Sequence, residues 1–551
     1  MKKLKGIKLY FFSIIKLFSI NLKNYYFSSN FYNKKLVTFV PDRIFYTPSM
    51  YLASSLTSTS QDFYKITNTN PESLWKINAI NKLNFDNLHN FLWLTKLNRK
   101  NNKKITQKII KSWIDNFFDY DSKAWEMEIM AKRIIAWASN TEITLEDSSQ
   151  IYKENFLICL LKQSNFLSKN INNIFHDQVK IICCAAIILS GMIFKENNSN
   201  FKVGVKELEK TVKNYFDKDG FPKTRNPEEV FICTKYLVLI REWFKEAQID
   251  IPNFLNEIII KTGNCYAMLS SSNKQFPLFN GATEINHKEY DLFLKTLKYR
   301  FVNKEYEISD FYKIKKKKLE FFIDCGNPPP NSFSKNYQAG CLSFELTSNK
   351  QKIISNSGYG KYLSDKLTFS SRSTAAHSTL YINDTSSCAF QKKEIVSRVY
   401  GNSLLKRHKI INKNYLEEKD FFLIYASHNG YEKEFGYLHN RSVKIFKKHD
   451  KIIGTDELKK RKNINKSLIY FVRFHIHHDA KIVKTKAGDS ILISLSNGEG
   501  WLLKSDTNIF KIEKNIFLGN KKKIINSESV YISGIINKEI ITTKWLIERI
   551  S

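Results

Sequence analysis

The sequence predicts a multidomain α+β protein in which helices come first and an antiparallel β-sandwich follows. Between residues 81 and 302 apolar side chains recur at helical spacing, whereas from Leu319 onward short β-rich runs alternate with turn residues. The chain has 551 residues and is 42% hydrophobic, enough for two or more folded domains. We predict an N-terminal segment at 1–80, a helical domain at 81–302, a basic linker at 303–318 and a sandwich at 319–551.

Several features justify the helical part. One buried stripe is predicted where apolar residues recur three or four positions apart, at Met127, Met130, Ile134 and Trp137. The run Asn226–Glu229 is a helix start, with an N-cap residue, a proline in the first turn and early acids. The apolar run from Ile181 to Phe194 is too short to span a membrane and predicts a buried helix. Successive helices with short connections favour helical hairpins packed side by side.

The second part is predicted to be β-structure because its apolar runs are short and rich in β-branched and aromatic residues. A hairpin turn with a packed tryptophan is predicted at Asn497–Trp501. The predicted strands lie at Phe321–Ile323, Leu342–Leu346, Lys352–Ser355, Thr379–Ile382, Phe421–Ala426, Ser442–Phe446, Tyr470–His475, Ser490–Ser494 and Tyr531–Ile535.

The formal net charge is +34, which suits a polyanion or an anionic surface as a partner. The alternative is the general composition of a chain from an AT-rich genome, since lysine, asparagine and isoleucine are abundant throughout. The charge is not concentrated in one tail and no nucleic-acid motif accompanies it, so nucleic acid is not predicted as a partner. The eight cysteines form no CxxC pair and are predicted to be buried thiols, which favours a reducing compartment without excluding the periplasm.

The N-terminus has two interpretations. Lys2, Lys3 and Lys5 precede the apolar run Leu9–Ile15, as in a short signal segment, but Lys16 interrupts it. The other interpretation is an amphipathic surface helix. No apolar run reaches the length of a membrane span, so no integral span is predicted.

The stretch Ser370–Phe390 holds the most informative residues. Arg372 lies five residues before His377, and a strand-like run with an Asn-Asp turn follows them. A histidine at the mouth of a strand can be a general base, a metal ligand or a hydrogen-bonded structural residue.

This stretch resembles the signature segment of the heparinase II/III-like proteins. Three further segments resemble the same family in the same order, at Gly340–Leu346, Phe435–Arg441 and Arg473–His477. The resemblance covers about Leu319 to Ser551, with weaker matches back to Leu88. It implies an N-terminal incomplete α/α toroid, whose concave face holds a polysaccharide, followed by a β-sandwich. It also implies a periplasmic or cell-envelope location, with the cytoplasm as the alternative.

The resemblance implies β-elimination on an acidic, uronate-containing glycan. Such a reaction needs a cation or donor for the carboxylate, a base for the adjacent proton and an acid for the leaving oxygen. In the family an Asn or His and a Tyr from the helical domain and a His from the sheet domain take these roles. The active site therefore lies between the two domains.

Matching positions give the candidate site residues. His377 matches the signature His, which is a metal ligand in several members and would organise the sheet side of the cleft. Arg372 matches a basic residue that would bind a carboxylate, with a pair to a neighbouring acid as the alternative. Arg133 also matches a family Arg, with a helix-packing ion pair as its alternative. Arg225 lies in a loop that would place it at a helix N-terminus facing the cleft.

Other family positions have changed. Where the family has metal-binding His-x-His-Ala-Asp, this chain has Asn336-Tyr337-Gln338-Ala339-Gly340, and Asn356 replaces a later Asp. Gln338, Asn356 and His377 carry no negative charge, so we predict no metal and no other cofactor. Hydrogen-bonded packing of these three is the alternative, and Gln338 remains a substrate-binding candidate.

The proton-transfer residues of the family are also replaced. Gln178-Val179 stands in place of the Asn-His pair, and Glu228-Glu229-Val230 in place of the Tyr. We therefore expect substitutes, with His176 and Tyr236 as catalytic candidates together with His377, and Tyr359 as a further one. His475 and His477 share a strand face and form a metal pair or a structural cluster at the strand end.

The leading hypothesis is a polysaccharide lyase-like protein acting on an acidic glycan. The second is a non-catalytic polysaccharide-binding protein of the same fold, and the third a basic protein that binds nucleic acid or an anionic membrane. The sequence does not indicate the sugar or the oligomeric state.

Overall fold

A computed structural model describes residues 2–57, 66, 70–75, 82–392, 394–463, 467–505 and 509–551. Helices come first and antiparallel strands follow, which confirms the predicted fold class; closure of the helices into a toroid stays a prediction. The helices are α1 (Lys2–Ser28), α2 (Asn30–Lys34), α3 (Met50–Ser54), α4 (Pro71–Leu74), α5 (Lys82–His89), α6 (Arg99–Phe117), α7 (Met127–Ala138), α8 (Thr141–Thr144), α9 (Gln150–Asn170), α10 (Asp177–Ile193), α11 (Asn198–Tyr215), α12 (Pro227–Glu246), α13 (Asn253–Leu269), α14 (Lys288–Thr296), α15 (Asp365–Ser370), α16 (Glu394–Tyr400) and α17 (Glu432–Phe435).

The strands form the second half of the chain. They are β1 (Glu307–Ile308), β2 (Phe311–Lys316), β3 (Leu319–Asp324), β4 (Phe344–Ser348), β5 (Gln351–Ser355), β6 (Leu380–Ile382), β7 (Ala389–Phe390), β8 (Leu404–Lys406), β9 (Ile410–Glu417), β10 (Phe421–His428), β11 (Tyr437–Phe446), β12 (Lys451–Lys460), β13 (Ile469–Ile476), β14 (Lys481–Lys484), β15 (Ser490–Ser494), β16 (Gly500–Ser505), β17 (Lys511–Phe517), β18 (Ile525–Ile535) and β19 (Ile540–Arg549).

Two large antiparallel sheets pack on each other. The first has the order β1-β2-β3-β4-β5-β13-β18-β17, with β6 also paired to β13, and the second has the order β14-β15-β16-β19-β12-β11-β10-β9. Their facing side chains form one apolar core. Within it Trp545 of the second sheet lies 5.3 Å, ring centroid to centroid, from both Phe344 and Phe474 of the first. The predicted sandwich and the Asn497–Trp501 hairpin with its buried tryptophan are therefore confirmed.

The helical core is arranged around α10, which is buried along almost its whole length. Small residues let α11 approach it closely. A Cβ at Gly191 would lie 2.3 Å from the Phe201 backbone nitrogen, and one at Gly204 would lie 2.7 Å from the Ile188 side chain. The predicted start of α12 is confirmed, because the Asn226 side chain accepts a hydrogen bond from the Glu228 amide.

The predicted linker at 303–318 is wrong, because it contains the first two strands of the first sheet. β1 pairs with β2, and β2 pairs along its whole length with β3. Tyr312 and Ile314 are buried whereas Lys315 is exposed. The many lysines around these two apolar residues made the strand look like a basic linker in the sequence. The other domain boundaries stay predictions.

All eight cysteines are buried and form no disulfide, as predicted from their apolar surroundings. Among the described helices, none combines the length and apolar character needed to cross a bilayer.

Acidic residues of the first sheet hold the helical region in place. Asp324 pairs with the Arg225 guanidinium at 2.6 Å and accepts a hydrogen bond from the Asn280 amide at 2.8 Å. Two further carboxylates of the same sheet make similar contacts. The Glu320 carboxylate accepts a hydrogen bond from the Ser272 backbone amide, and the Glu345 carboxylate accepts one from the Leu278 backbone amide. Three buried carboxylates on β3 and β4 thus fasten the loop that follows α13 to the sheet.

We expect Asp324→Ala to lower the free energy of unfolding by about 3–5 kcal/mol, because it leaves the buried Arg225 cation unpaired. The measurement is the urea midpoint at neutral pH. The matched control is Glu513→Ala, which removes an exposed carboxylate from Arg473 and should cost at most about 1 kcal/mol. Equal effects of the two substitutions would contradict this account of the junction.

Candidate functional site

His377 is buried beneath the surface of the first sheet. Its Nδ1 lies 2.8 Å from the Ser373 carbonyl oxygen, to which it donates, and its Nε2 has no hydrogen-bond partner. The ring packs against Gly340, where a Cβ would lie 2.5 Å from His377 Cδ2. Burial lowers the pKa of His377 to about 4, so the ring is neutral at physiological pH. His377 is 1% exposed, and its assignment as a catalytic residue stays a prediction.

Gln338 and Asn356, the two amide side chains that the sequence groups with His377, also form hydrogen bonds within the protein. The Gln338 oxygen accepts from the Gly281 amide at 2.8 Å, and its nitrogen donates to the Gly358 and Ser371 carbonyls. The Asn356 oxygen accepts from the Ser378 amide at 3.0 Å. The amide groups thus bond to the backbone, which supports hydrogen-bonded packing, and the assignment of Gln338 to substrate binding stays a prediction.

Arg372 does not face the cleft. Its guanidinium donates to the carbonyl oxygens of Tyr337, Asn402 and Ser334 at 2.6–2.9 Å, and it stacks on the Phe390 ring at 3.9 Å. Burial lowers its pKa to about 10. All three guanidinium nitrogens hold loops together, and the predicted carboxylate-binding role stays a prediction.

Arg225 and Arg133 are structural as well. Arg225 is in the left-handed backbone region with φ 63° and is buried in its pair with Asp324. Arg133 is fully buried and donates to Gln163 and to two backbone carbonyls, and burial lowers its pKa to about 9. Both guanidinium groups are engaged within the protein, and their substrate-binding roles stay predictions. Arg133 also differs from its predicted alternative, since its partners are neutral oxygens.

Titratable groups of the helical region and of the sheet region instead collect around Glu128 of α7, and we call this group of residues the cleft. The Glu128 carboxylate forms an ion pair with Lys132 at 2.5 Å. Its charge also acts on the pKa of Tyr236, His176 and Lys361, so all of these groups lie within electrostatic range of one carboxylate. The charge of Glu128 thus acts on two of the predicted catalytic residues, His176 and Tyr236, whose roles stay predictions.

His176 is the N-cap residue of α10 and is exposed in this cleft. Its Nε2 accepts a hydrogen bond from the Lys335 ammonium at 3.0 Å. Desolvation in the cleft, together with the cations of Lys335 and Lys361, lowers the pKa of His176 to about 4. The imidazole is therefore a neutral base at physiological pH.

Tyr236 and its neighbour Lys235 lie on α12. Burial raises the pKa of the Tyr236 phenol well above its ordinary value, although the Lys132 cation opposes this effect. Tyr236 therefore keeps its proton and is suited to be an acid. Desolvation and the nearby Lys521 cation lower the pKa of Lys235 to about 7, and its ammonium lies 4.4 Å from the Phe231 ring centroid.

The sheet region contributes the opposite wall of the cleft. Lys521 forms an ion pair with Glu228 of α12 at 2.7 Å, and its ammonium lies 5.7 Å from the Tyr362 ring. Lys361 lies 5.0 Å from the same ring. Tyr359, a further candidate from the sequence, is buried and donates to Asn336. The cleft contains the lysines Lys132, Lys235, Lys335, Lys361 and Lys521 and the acids Glu128 and Glu228, and the carboxyl groups of Asp86, Glu126 and Glu229 interact electrostatically with the same groups.

The His475 and His477 pair does not form a joint site. His475 faces Ser357, Asn515 and the Ala375 carbonyl, with both ring nitrogens hydrogen-bonded. His477 instead forms a cluster with His478 and the exposed Asp479, where ligand-type atoms of all three lie within 4.8 Å of one another.

Sequence reasoning missed the lysines and Glu128. The usable signals are the Glu128–Lys132 spacing of four residues, which places both on one face of α7, and the Lys361-Tyr362 pair that follows the glycines at 358 and 360. A general excess of lysine hid these positions, because nothing in the sequence distinguishes a cleft lysine from an exposed one.

The chain thus combines a helical region with an antiparallel β-sandwich, and known proteins share this arrangement. Residues 303–545 match the family model described as Heparinase II/III-like, C-terminal. The predicted resemblance to the heparinase II/III-like proteins is confirmed over this stretch.

Solved structures share the fold of nearly the whole chain. A crystal structure of heparinase III matches with a TM-score of 0.68 and 14% identity over 94% of this chain and 86% of that one. A mutant of heparan sulfate lyase HepC from Pedobacter heparinus matches with a TM-score of 0.63 and 12% identity over 94% and 87%. At these identities the likeness shows the fold alone.

One curated relative is more similar in sequence over a shorter stretch. FtsZ-localized protein C from Caulobacter vibrioides (strain NA1000 / CB15N) is 26% identical over 212 residues, which is 36% of this chain. The match covers 35% of that protein's length, so the chain spans about a third of it.

The burial of His377 predicts a pH effect on stability. Below the ordinary pKa of about 6.5 the unfolded chain binds a proton that folded His377 does not, so the free energy of unfolding falls as pH falls from about 6.5 to about 4. In His377→Gln this contribution is absent, so the slope between pH 6 and 4.5 should decrease by up to about 1.4 kcal/mol per pH unit. Urea unfolding at a series of pH values measures it. Near pH 8, where His377 is neutral in both states, the free energies of unfolding of the two proteins should differ only by the effect of the substitution itself. Identical pH slopes of the two proteins between pH 6 and 4.5 would contradict the lowered pKa of His377.

Proposed function

We propose that this protein is a polysaccharide lyase-like protein that binds an acidic, uronate-containing glycan in the cleft between its two regions. The observation that carries the proposal is the set of cleft lysines around Glu128, with His176 and Tyr236 beside them. Lysine ammonium groups in a concave site attract carboxylates and sulfates and act more strongly there than in open water.

The same groups suit β-elimination. A base takes the proton from the carbon beside the uronate carboxylate, the electron pair forms a carbon–carbon double bond, and the glycosidic carbon–oxygen bond breaks. His176 is neutral and serves as the base, whereas Tyr236 keeps its proton and donates it to the leaving oxygen. Lys361 neutralises the carboxylate and so stabilises the negative charge that develops as the proton leaves.

A second candidate is a non-catalytic polysaccharide-binding protein. The observation that favours it is the state of the sheet side, where His377 and Arg372 are buried and bonded to the backbone. Such a site would bind a glycan through its lysines. It would lack the sheet-domain histidine that takes part in proton transfer in the resembled family. A periplasmic or cell-envelope location goes with either candidate and is part of this proposal.

We expect Tyr236→Phe to lower kcat by about a hundredfold or more, because it removes the proton for the leaving oxygen. The assay follows the absorbance of the unsaturated product with a panel of uronate polymers, including heparan sulfate. Tyr437→Phe is the matched control, because that buried tyrosine donates to the Lys538 carbonyl outside the cleft. Full activity of Tyr236→Phe contradicts its role, and no product from any polymer contradicts the lyase proposal.

Binding is tested separately from turnover. We expect Lys361→Gln to weaken the binding of the same polymers about tenfold, since a charge-assisted hydrogen bond contributes about 1.5–3 kcal/mol. The control is Lys210→Gln, which removes an exposed lysine of α11 that pairs with Glu207. Calorimetry at one fixed ionic strength gives the dissociation constants. Affinity that depends on Lys361, without turnover, selects the non-catalytic candidate, and equal effects of the two substitutions exclude the cleft as the binding site.

A further inference from the structure

The N-terminal helix α1 turns its polar residues towards the protein. Ser13 is fully buried, and Asn24 accepts a hydrogen bond from the Tyr120 hydroxyl at 2.9 Å. At the end of the helix Phe27 packs against the rings of Tyr120 and Phe166 at 5.3 and 5.1 Å. These contacts fix which side of the helix faces outward.

The opposite side of α1 is apolar and exposed. Five large side chains follow one another there at helical spacing, with exposed fractions of 60% for Phe11, 48% for Ile15, 64% for Phe18, 54% for Leu22 and 82% for Tyr25. At about 100° per residue they fall within an arc of about 80°. A helix on a water-soluble surface has the reverse arrangement, with its apolar stripe against the core. We call these five residues the outer stripe.

The charge around the outer stripe has one sign. The first 41 residues contain no aspartate and no glutamate, and they contain eight lysines, at positions 2, 3, 5, 8, 16, 23, 34 and 35. An exposed apolar stripe on an entirely cationic segment is typical of helices that lie in the interface of an anionic bilayer. A protein groove does not require this charge, whereas a surface of anionic headgroups is complementary to it.

We propose that α1 docks on an anionic phospholipid bilayer, with the outer stripe inserted between the lipids and the net positive charge of residues 1–41 attracted to their headgroups. The helix lies along the interface, in agreement with the finding that no described helix is suited to cross a membrane. The proposal does not depend on catalysis in the cleft.

Docking of α1 also positions the cleft. The Lys16 ammonium lies 4.0 Å from the Phe175 ring centroid, and the Lys23 ammonium donates to the Asn173 side chain at 3.3 Å. Phe175 directly precedes His176, the N-cap residue of α10. The His176 end of the cleft therefore lies beside the helix, and docking brings that end close to the bilayer surface.

The test is co-sedimentation of the full chain with vesicles of phosphatidylethanolamine and phosphatidylglycerol, and with vesicles of phosphatidylcholine alone. We expect binding to the anionic vesicles and at least tenfold weaker binding to the neutral ones. The triple variant Phe11→Gln, Phe18→Gln, Leu22→Gln should lose at least tenfold in affinity for the anionic vesicles. Glutamine preserves helix propensity, so the helix itself should persist.

The matched control is Ile260→Gln, Leu292→Gln, Val302→Gln, which replaces three equally exposed apolar side chains away from α1, at 59–60% exposure, and should bind as the unchanged protein does. Equal losses in both triple variants would overturn the proposal, as would full binding by the outer-stripe variant or absence of binding by the unchanged chain. A dimer in solution that the outer-stripe variant abolishes, without vesicle binding, would assign the stripe to a second copy. If the protein isolated from cells lacks residues 1–28, the segment is a signal that is removed, and the proposal is overturned.

Discussion

The ion pair between Arg225 and Asp324 is the interaction on which the rest of the arrangement depends. It joins the loop before α12 to β3, and Asn280 completes the coordination of the same carboxylate. Because both charges are buried, the pair is stable only when the helical region sits in this one place on the sheet. α12 begins immediately after Arg225, so the position of Lys235 and Tyr236 is fixed by this contact.

The junction explains why chemistry collects in the cleft and not in the sandwich. Inside the sandwich polar groups are satisfied by backbone partners, as for Arg372, or by buried ion pairs, as for Arg441 and Asp456, and these groups are unavailable to a ligand. In the cleft, desolvation lowers the pKa of His176 and raises that of Tyr236, and lysines from both regions act on the same two groups. A neutral base beside a protonated phenol is an arrangement that can accept and donate a proton at the same pH.

The fold could be predicted from the sequence because the spacing of apolar residues and the positions of turn-forming residues depend directly on local structure. The stripe in α7 and the N-cap at Asn226 were readable for this reason. The direction in which individual side chains point could not be predicted from the sequence. Arg372 and Arg225 were assigned to a ligand on their position in a motif, but whether a guanidinium meets a carbonyl or a solvent-filled cleft depends on contacts distant in sequence. The same limit hid Lys361, which the sequence does not distinguish from the other lysines.

The most direct test of the central claim is a crystal structure of the protein with a bound uronate oligosaccharide. The account predicts that the sugar lies between α7 and α12 on one side and Lys361 and Lys521 on the other, with a uronate carboxylate on lysine and His176 beside the ring. A sugar bound instead at the surface over His377, or on the outer sheet of the sandwich, would contradict it.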